Sequence, residues 1–255
     1  LILFSLSGPT YGAGPTKTLN IAAFHETFSE DFRGRLDVTR AGPSKWIAHT
    51  PWGGDFGDAA FADPVPGFPF ETGPGGLAII ARKDSNGRWN SGLLSSTDAQ
   101  NRGFSQADGY FEARMKMPAG PGTWPAFWLV SHSDPAYHCE IDVVEYYGHG
   151  TGWYQIALHL WPKLPSAKLG SQLETIKVPD HSLVETFHNY GVEITHDDII
   201  FYLDRVEVAR MSAPAAAHQP MSMLVDLALG SGWPIDKTPN PSILYVDYIK
   251  AFSRF

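Results

Sequence analysis

The chain has 255 residues, 43% of them hydrophobic and 18% charged, with a formal net charge of −8. That length fits one large domain with a sizeable core, and that charge excludes a nucleic-acid backbone as partner. The single cysteine, Cys139, excludes a disulfide framework or a multi-cysteine metal site, and no apolar run reaches the ~18 residues of a membrane span.

In chain order, the opening LILFSLSGPTYGAG reads as the tail of a secretory signal, with apolar residues 1–4 and Ala13 near a cleavage point, or as an ordinary first strand. Residues 1–23 are therefore expected to be an N-terminal extension or signal remnant, and 24–255 one domain of a secreted or periplasmic protein. Short β-rich or two-residue-alternating runs follow at 77–81, 109–117, 126–130, 140–147, 154–160, 190–194, 199–203, 207–211, 221–229 and 244–252. Most of the 20 prolines and 25 glycines fall between them. Only 182–187 and 215–217 suggest a helical turn, and 63–76 reads as a long surface loop. Many strands with turn punctuation and no alternating helices predict an all-β, antiparallel sandwich.

The segment His138-Cys139-Glu140-Ile141-Asp142-Val143-Val144-Glu145-Tyr146-Tyr147 carries the chemistry. In a regular strand Glu140 and Asp142 share a face, while Glu145 points to the other, into the core. Burying a lone carboxylate there is costly. A β-bulge at Val143–Val144 restores parity and brings all three acids to one side. Such a set suits glycosidic hydrolysis with retention, which needs a carboxylate nucleophile and a carboxylic acid donor. Mutual repulsion keeps one of them protonated. Alternation sends Cys139 to the opposite face, where it behaves as a small hydrophobe, and the ten histidines show no metal-type spacing.

The run Glu140-Ile141-Asp142-Val143-Val144-Glu145 resembles the bulged E-x-D-x-x-E signature of glycoside hydrolase family 16. The resemblance continues in order. It takes in Phe28-Ser29-Glu30-Asp31-Phe32 with Trp46, Gly109–Arg114, Gly122-Thr123-Trp124-Pro125-Ala126-Phe127-Trp128, and Phe187-His188-Asn189-Tyr190 through Asp204. It closes with Leu227-Ala228-Leu229-Gly230, Gly232-Trp233-Pro234 and Val246-Asp247-Tyr248. It implies a concave β-jelly roll with a substrate cleft across one sheet. It also implies Glu140 as nucleophile, Asp142 as assisting carboxylate and Glu145 as acid/base.

The resemblance further implies Trp124 as a sugar platform, Trp128 there or in the core, and His159 beside the acids with Trp161. Trp52, in a Gly-rich loop, is a loop anchor or a stacking residue. Trp89 and Asn90 are placed near the same end of the cleft, and Trp233 is a further aromatic candidate. No cofactor is required for catalysis. A structural calcium, common in the family, would use Asp31 or Glu30, Gly75 or Gly76, and Asp247. The sequence departs from the pattern at Asp226, where the family usually has Asn, and at Glu30-Asp31-Phe32.

The expected partner is a polysaccharide, bound by a monomer, with no nucleic acid and no membrane. Within the bulged group a β-1,3- or mixed β-1,3-1,4-glucan is favoured, because sulfated galactans call for basic clusters this chain lacks. A galactanase, a bacterial exopolysaccharide hydrolase or a transglycosylase would use the same fold. A non-catalytic lectin-like module would have no use for all three acids.

Overall fold

Burial in the last strand, Ser242–Arg254, shows how the sandwich is built. Leu244 and Val246 point inward, and so do Ile249 and Ala251, while Tyr245, Asp247 and Lys250 point out. The parity changes at Asp247, because Arg114 pairs with Tyr248 and the next residue, Met115, with Val246. Asp247 is thus the extra residue of a β-bulge.

The computed structural model describes residues 17–131 and 133–255; residues 1–4 and Ala13, read above as a leader, lie outside them. Among the described residues two sheets face each other. The outer one has ten strands, with Gly109–Lys116 and Ser242–Arg254 paired at its middle. The other has nine, with Gly170–Lys177, Trp153–Pro162, Tyr137–Glu145, Thr123–Ser131 and Met221–Leu229 side by side in that order. Pairing is antiparallel apart from two short parallel contacts, Val38–Thr39 with Trp46–Ala48 and Ala60–Phe61 with Trp89–Ser91. Trp46, Phe111, Phe127, Tyr154 and Tyr190 fill the space between the sheets. No helix among the described residues is long and apolar enough to cross a membrane.

The helical turns fall where the sequence put them, at Ser182–Glu185 and Ala215–His218. Two local expectations change. Residues 63–76 are not all loop, because Phe70–Gly73 forms a hairpin with Gly76–Lys83 and buries Phe68 and Phe70. The packed domain also begins before Phe24: Leu19 is buried with Phe24, Tyr110 and Tyr202, and its N–H donates to the Arg205 carbonyl at 2.8 Å.

Candidate active site

The strand Tyr137–Glu145 lies between Thr123–Ser131 and Trp153–Pro162. On one side Asp142 pairs with Ala157 but Glu145 with Gln155; on the other, Phe127 pairs with Val144 but Trp128 with Asp142. Both registers skip one residue at Val143–Val144, the bulge that parity demanded. Val143, Val144 and Cys139 are buried in the core. Glu140, Asp142 and Glu145 all line one cavity of about 270 Å³, together with Trp124, Trp128 and Asp226.

Burial is the largest influence on the acids. It pushes Glu140 up to about 7, aided by the charge of Glu145 and opposed by the N–H of Trp161. Asp142 is held well above the usual carboxylate range, first by burial and then by Glu140, Glu145 and Asp226. Burial also raises Glu145, and two donors work against it: Trp124 Nε1 at 2.9 Å and the Tyr147 hydroxyl at 3.1 Å, both to Oε1. The cluster therefore keeps protons into the neutral range while leaving its hydrogen-bonded members able to ionise. Cys139 is pushed up to about 12 by burial and stays a thiol.

His159 Nε2 lies 3.5 Å from Asp142 Oδ2, its Nδ1 meets Ser171 Oγ at 2.7 Å, and burial lowers its pKa. Its ring stacks on Trp161, centroids 5.1 Å apart. Trp161 in turn donates to Glu140 Oε2 at 3.1 Å. Glu140, Asp142 and His159 bring one donor atom each within 4.8 Å of one another, the one such cluster among the described residues.

The aromatic residues divide. Trp124 stacks on Tyr147 at 6.2 Å, and Trp52, 51% exposed, meets the edge of Trp128 at 5.9 Å. Trp128 is buried at the cleft floor, where its indole N–H donates to Asp226 Oδ2 at 2.8 Å. Trp52 and Trp161 also border a second cavity of about 500 Å³, next to Glu140, which extends the cleft along the sheet. Trp89 lies elsewhere: it is buried in the main core with the Lys83 ammonium 5.3 Å from its ring. Asn90 donates its amide to the Arg88 carbonyl. Neither borders the cavity holding the acids, because their strand, Trp89–Ser91, belongs to the outer sheet. Trp233 sits outside that cavity too, stacked on His149 at 4.0 Å.

Three residues of the site carried no assigned role in the sequence: Tyr147, Phe56 and Asp226. Tyr147 was within reach of pattern reading, since it stands two residues beyond Glu145. Phe56 comes from a Gly-rich loop with no periodicity. Asp226 is fully buried and pushed up to about 7 by burial, with Trp128 and the Ala228 N–H opposing.

On the outer sheet, the residues expected to hold calcium have partners from the chain itself. Both carboxylate oxygens of Asp247 are taken by guanidinium groups, Oδ1 by Arg33 at 2.5 Å and Oδ2 by Arg114 at 2.8 Å. Asp31 Oδ1 accepts from the Arg33 N–H, and Glu30 pairs with Lys45 at 2.9 Å.

A concave two-sheet sandwich, with three carboxyls brought together by one bulged strand beneath an aromatic-walled cleft, defines a glycoside hydrolase of the β-jelly-roll class. Comparison with known proteins makes this specific. Residues 74–250 match the family described as Glycosyl hydrolases family 16, and the chain belongs to that family. It is 32% identical, over 92% of its length, to the endo-1,3-1,4-beta-glycanase ExsH of Rhizobium meliloti, and 31% identical over the same share to EglC, of the same description and organism. The chain spans 53% of each of these relatives. In fold it is similar to the laminarinase catalytic domain of Thermotoga maritima, with a TM-score of 0.73 at 22% identity, covering 91% of this chain and 99% of that one. The endo-beta-1,3-glucanase of Pyrococcus furiosus gives a TM-score of 0.70 at 23% identity, covering 91% and 95%.

Proposed function

We propose that this domain is a retaining endo-β-glycanase that cleaves a β-1,3- or mixed β-1,3-1,4-linked glucan. The observation that carries the reading is the bulge at Val143–Val144, which sets Glu140, Asp142 and Glu145 in one cleft. Ionised Glu140 attacks the anomeric carbon while Glu145 gives its proton to the departing glycosidic oxygen, so the sugar–oxygen bond breaks as the sugar–carboxylate bond forms. Glu145, now ionised, takes a proton from water, and the resulting attack frees Glu140 with the β configuration restored. Asp142, kept protonated by burial and its acidic neighbours, shares its proton with Glu140 and favours the ionised nucleophile. Trp52, Trp124 and Trp161 offer rings for the C–H faces of successive sugars.

The 1,3-1,4-beta linkage in the names of the Rhizobium relatives and the negative net charge of the chain support this reading. Digestion of laminarin, mixed-linkage glucan, agarose and bacterial exopolysaccharide tests it: internal cleavage of the first two is expected, and cleavage confined to agarose would overturn it. Roles are assigned with an activated aryl β-glycoside and azide. Glu140→Ala is expected to yield the α-glycosyl azide and Glu145→Ala the β-glycosyl azide; the reverse pairing would exchange the two roles.

A further inference from the structure

After the first strand, Phe24–Glu30, the backbone turns through Phe32 at φ 56° and Arg33 reaches back to the last strand. One guanidinium gathers three oxygens there. Nη1 donates to the Asp31 carbonyl at 2.9 Å and to the Asp247 carbonyl at 3.3 Å, and Nη2 to Asp247 Oδ1 at 2.5 Å. The bulge at Asp247 makes this possible, since the extra residue turns both its side chain and its carbonyl toward the loop. The start of the strand Gly76–Lys83 touches the same point: a Cβ on Gly76, whose φ is +95°, would lie 2.3 Å from the Val246 carbonyl and 2.9 Å from Asp247 Cα.

Two backbone carbonyls and a carboxylate oxygen converging from a loop and a chain-distant strand are donors of the kind a hard cation takes, 6–8 of them at about 2.3–2.6 Å. Here one carboxylate, Asp247, faces two guanidinium groups, Arg33 and Arg114. A divalent ion entering would have to displace these guanidinium groups, because the Asp247 oxygens are already engaged. Arginine suits the place because its charge is permanent and its donors form a planar fork.

We propose that Arg33 replaces a structural cation, its guanidinium pinning the loop after the first strand to the bulge of the last strand so that the junction holds without calcium. Thermal melting of the wild type and of Arg33→Ala, each in excess EDTA and in millimolar calcium chloride, tests this. The wild-type curves are expected to coincide. Arg33→Ala is expected to melt about 2–4 °C lower in EDTA and to recover part of that loss in calcium, which can then reach the freed oxygens. If Arg33→Ala does not fold, Arg33→Gln, which removes the charge and keeps a polar side chain, takes its place in the same comparison.

A calcium-dependent wild-type melt abolished by Asp247→Asn would overturn the proposal. So would a deficit in Arg33→Ala that calcium leaves untouched, since that marks an ordinary surface ion pair. A calcium response that survives Asp247→Asn and is lost in Glu140→Gln belongs to the cleft acids and leaves the junction free of calcium, as proposed.

Discussion

The indole of Trp161 donates its N–H to Glu140 Oε2 at 3.1 Å, so the same ring that faces the cleft also holds an acid. That bond favours the ionised carboxylate and lowers the pKa of Glu140 against the effect of burial. Trp161→Phe keeps an aromatic face and removes the donor. The acidic limb of its pH–rate profile is expected to move to higher pH, with kcat near the optimum down about tenfold, on the scale of one charge-assisted hydrogen bond, and KM nearly unchanged. Trp161→Ala removes the face as well and raises KM. A profile for Trp161→Phe that overlays the wild type would separate this ring from the chemistry.

Stability should fall as the pH rises through the titration of the buried acids. Glu140 and Asp226 are both pushed up to about 7 in the fold, and Asp142 and Glu145 are raised as well. Between about pH 4 and pH 7 the native state therefore holds more protons than the unfolded chain, and the free energy of unfolding decreases with pH across that window. Glu140→Gln and Asp226→Asn each remove one group's share of this dependence. Each is expected to melt above the wild type at about pH 7.5, with the difference closing near pH 4. Melting points that track the wild type at both ends would show that these groups are not shifted.

Asp226 is also the acceptor for the buried indole N–H of Trp128, at 2.8 Å. Asp226→Ala orphans that donor and opens space beneath the ring, at a cost of about 1–3 kcal/mol. Asp226→Asn keeps an oxygen for the indole and should unfold close to the wild type in denaturant at about pH 5. Equal losses in the two variants would mean that the acceptor for the indole is not what this position contributes.

The pattern along the acid strand was legible because one physical cost, a carboxylate in the core, admitted one remedy. The bulge stands at Val143–Val144, where parity required it. Strand positions and the helical turns at Ser182 and Ala215 were legible for a similar reason, since alternation and turn residues are local. What the chain order hides is which sheet a short strand joins. Trp89 looked like a cleft residue, yet its strand pairs with Gly76–Lys83 and its ring enters the core. The contact between Ser171 and His159, and that between Arg33 and Asp247, join residues far apart in sequence or on different strands and leave no periodic trace.

The same parity reasoning gives the most direct trial of the site. Deleting Val143 removes the extra residue and restores plain two-residue alternation along the strand. The ladders then run without a skipped residue, Asp142 opposite Ala157 and Glu145 opposite Gln155 on one side, Trp128 opposite Asp142 and Phe127 opposite Val144 on the other, so all three acids keep the cleft face. What the deletion removes is one buried valine, and the variant should lose about 1.5–3 kcal/mol of stability in denaturant unfolding. Because Glu145 still faces the cleft, Glu145→Ala in the deletion background should lower hydrolysis of an unactivated glucan by a further factor of about 10²–10⁴, the share general acid catalysis contributes. Equal turnover with and without Glu145 in that background would show that a straight strand does not present its carboxyl to the cleft, and that parity alone does not place it.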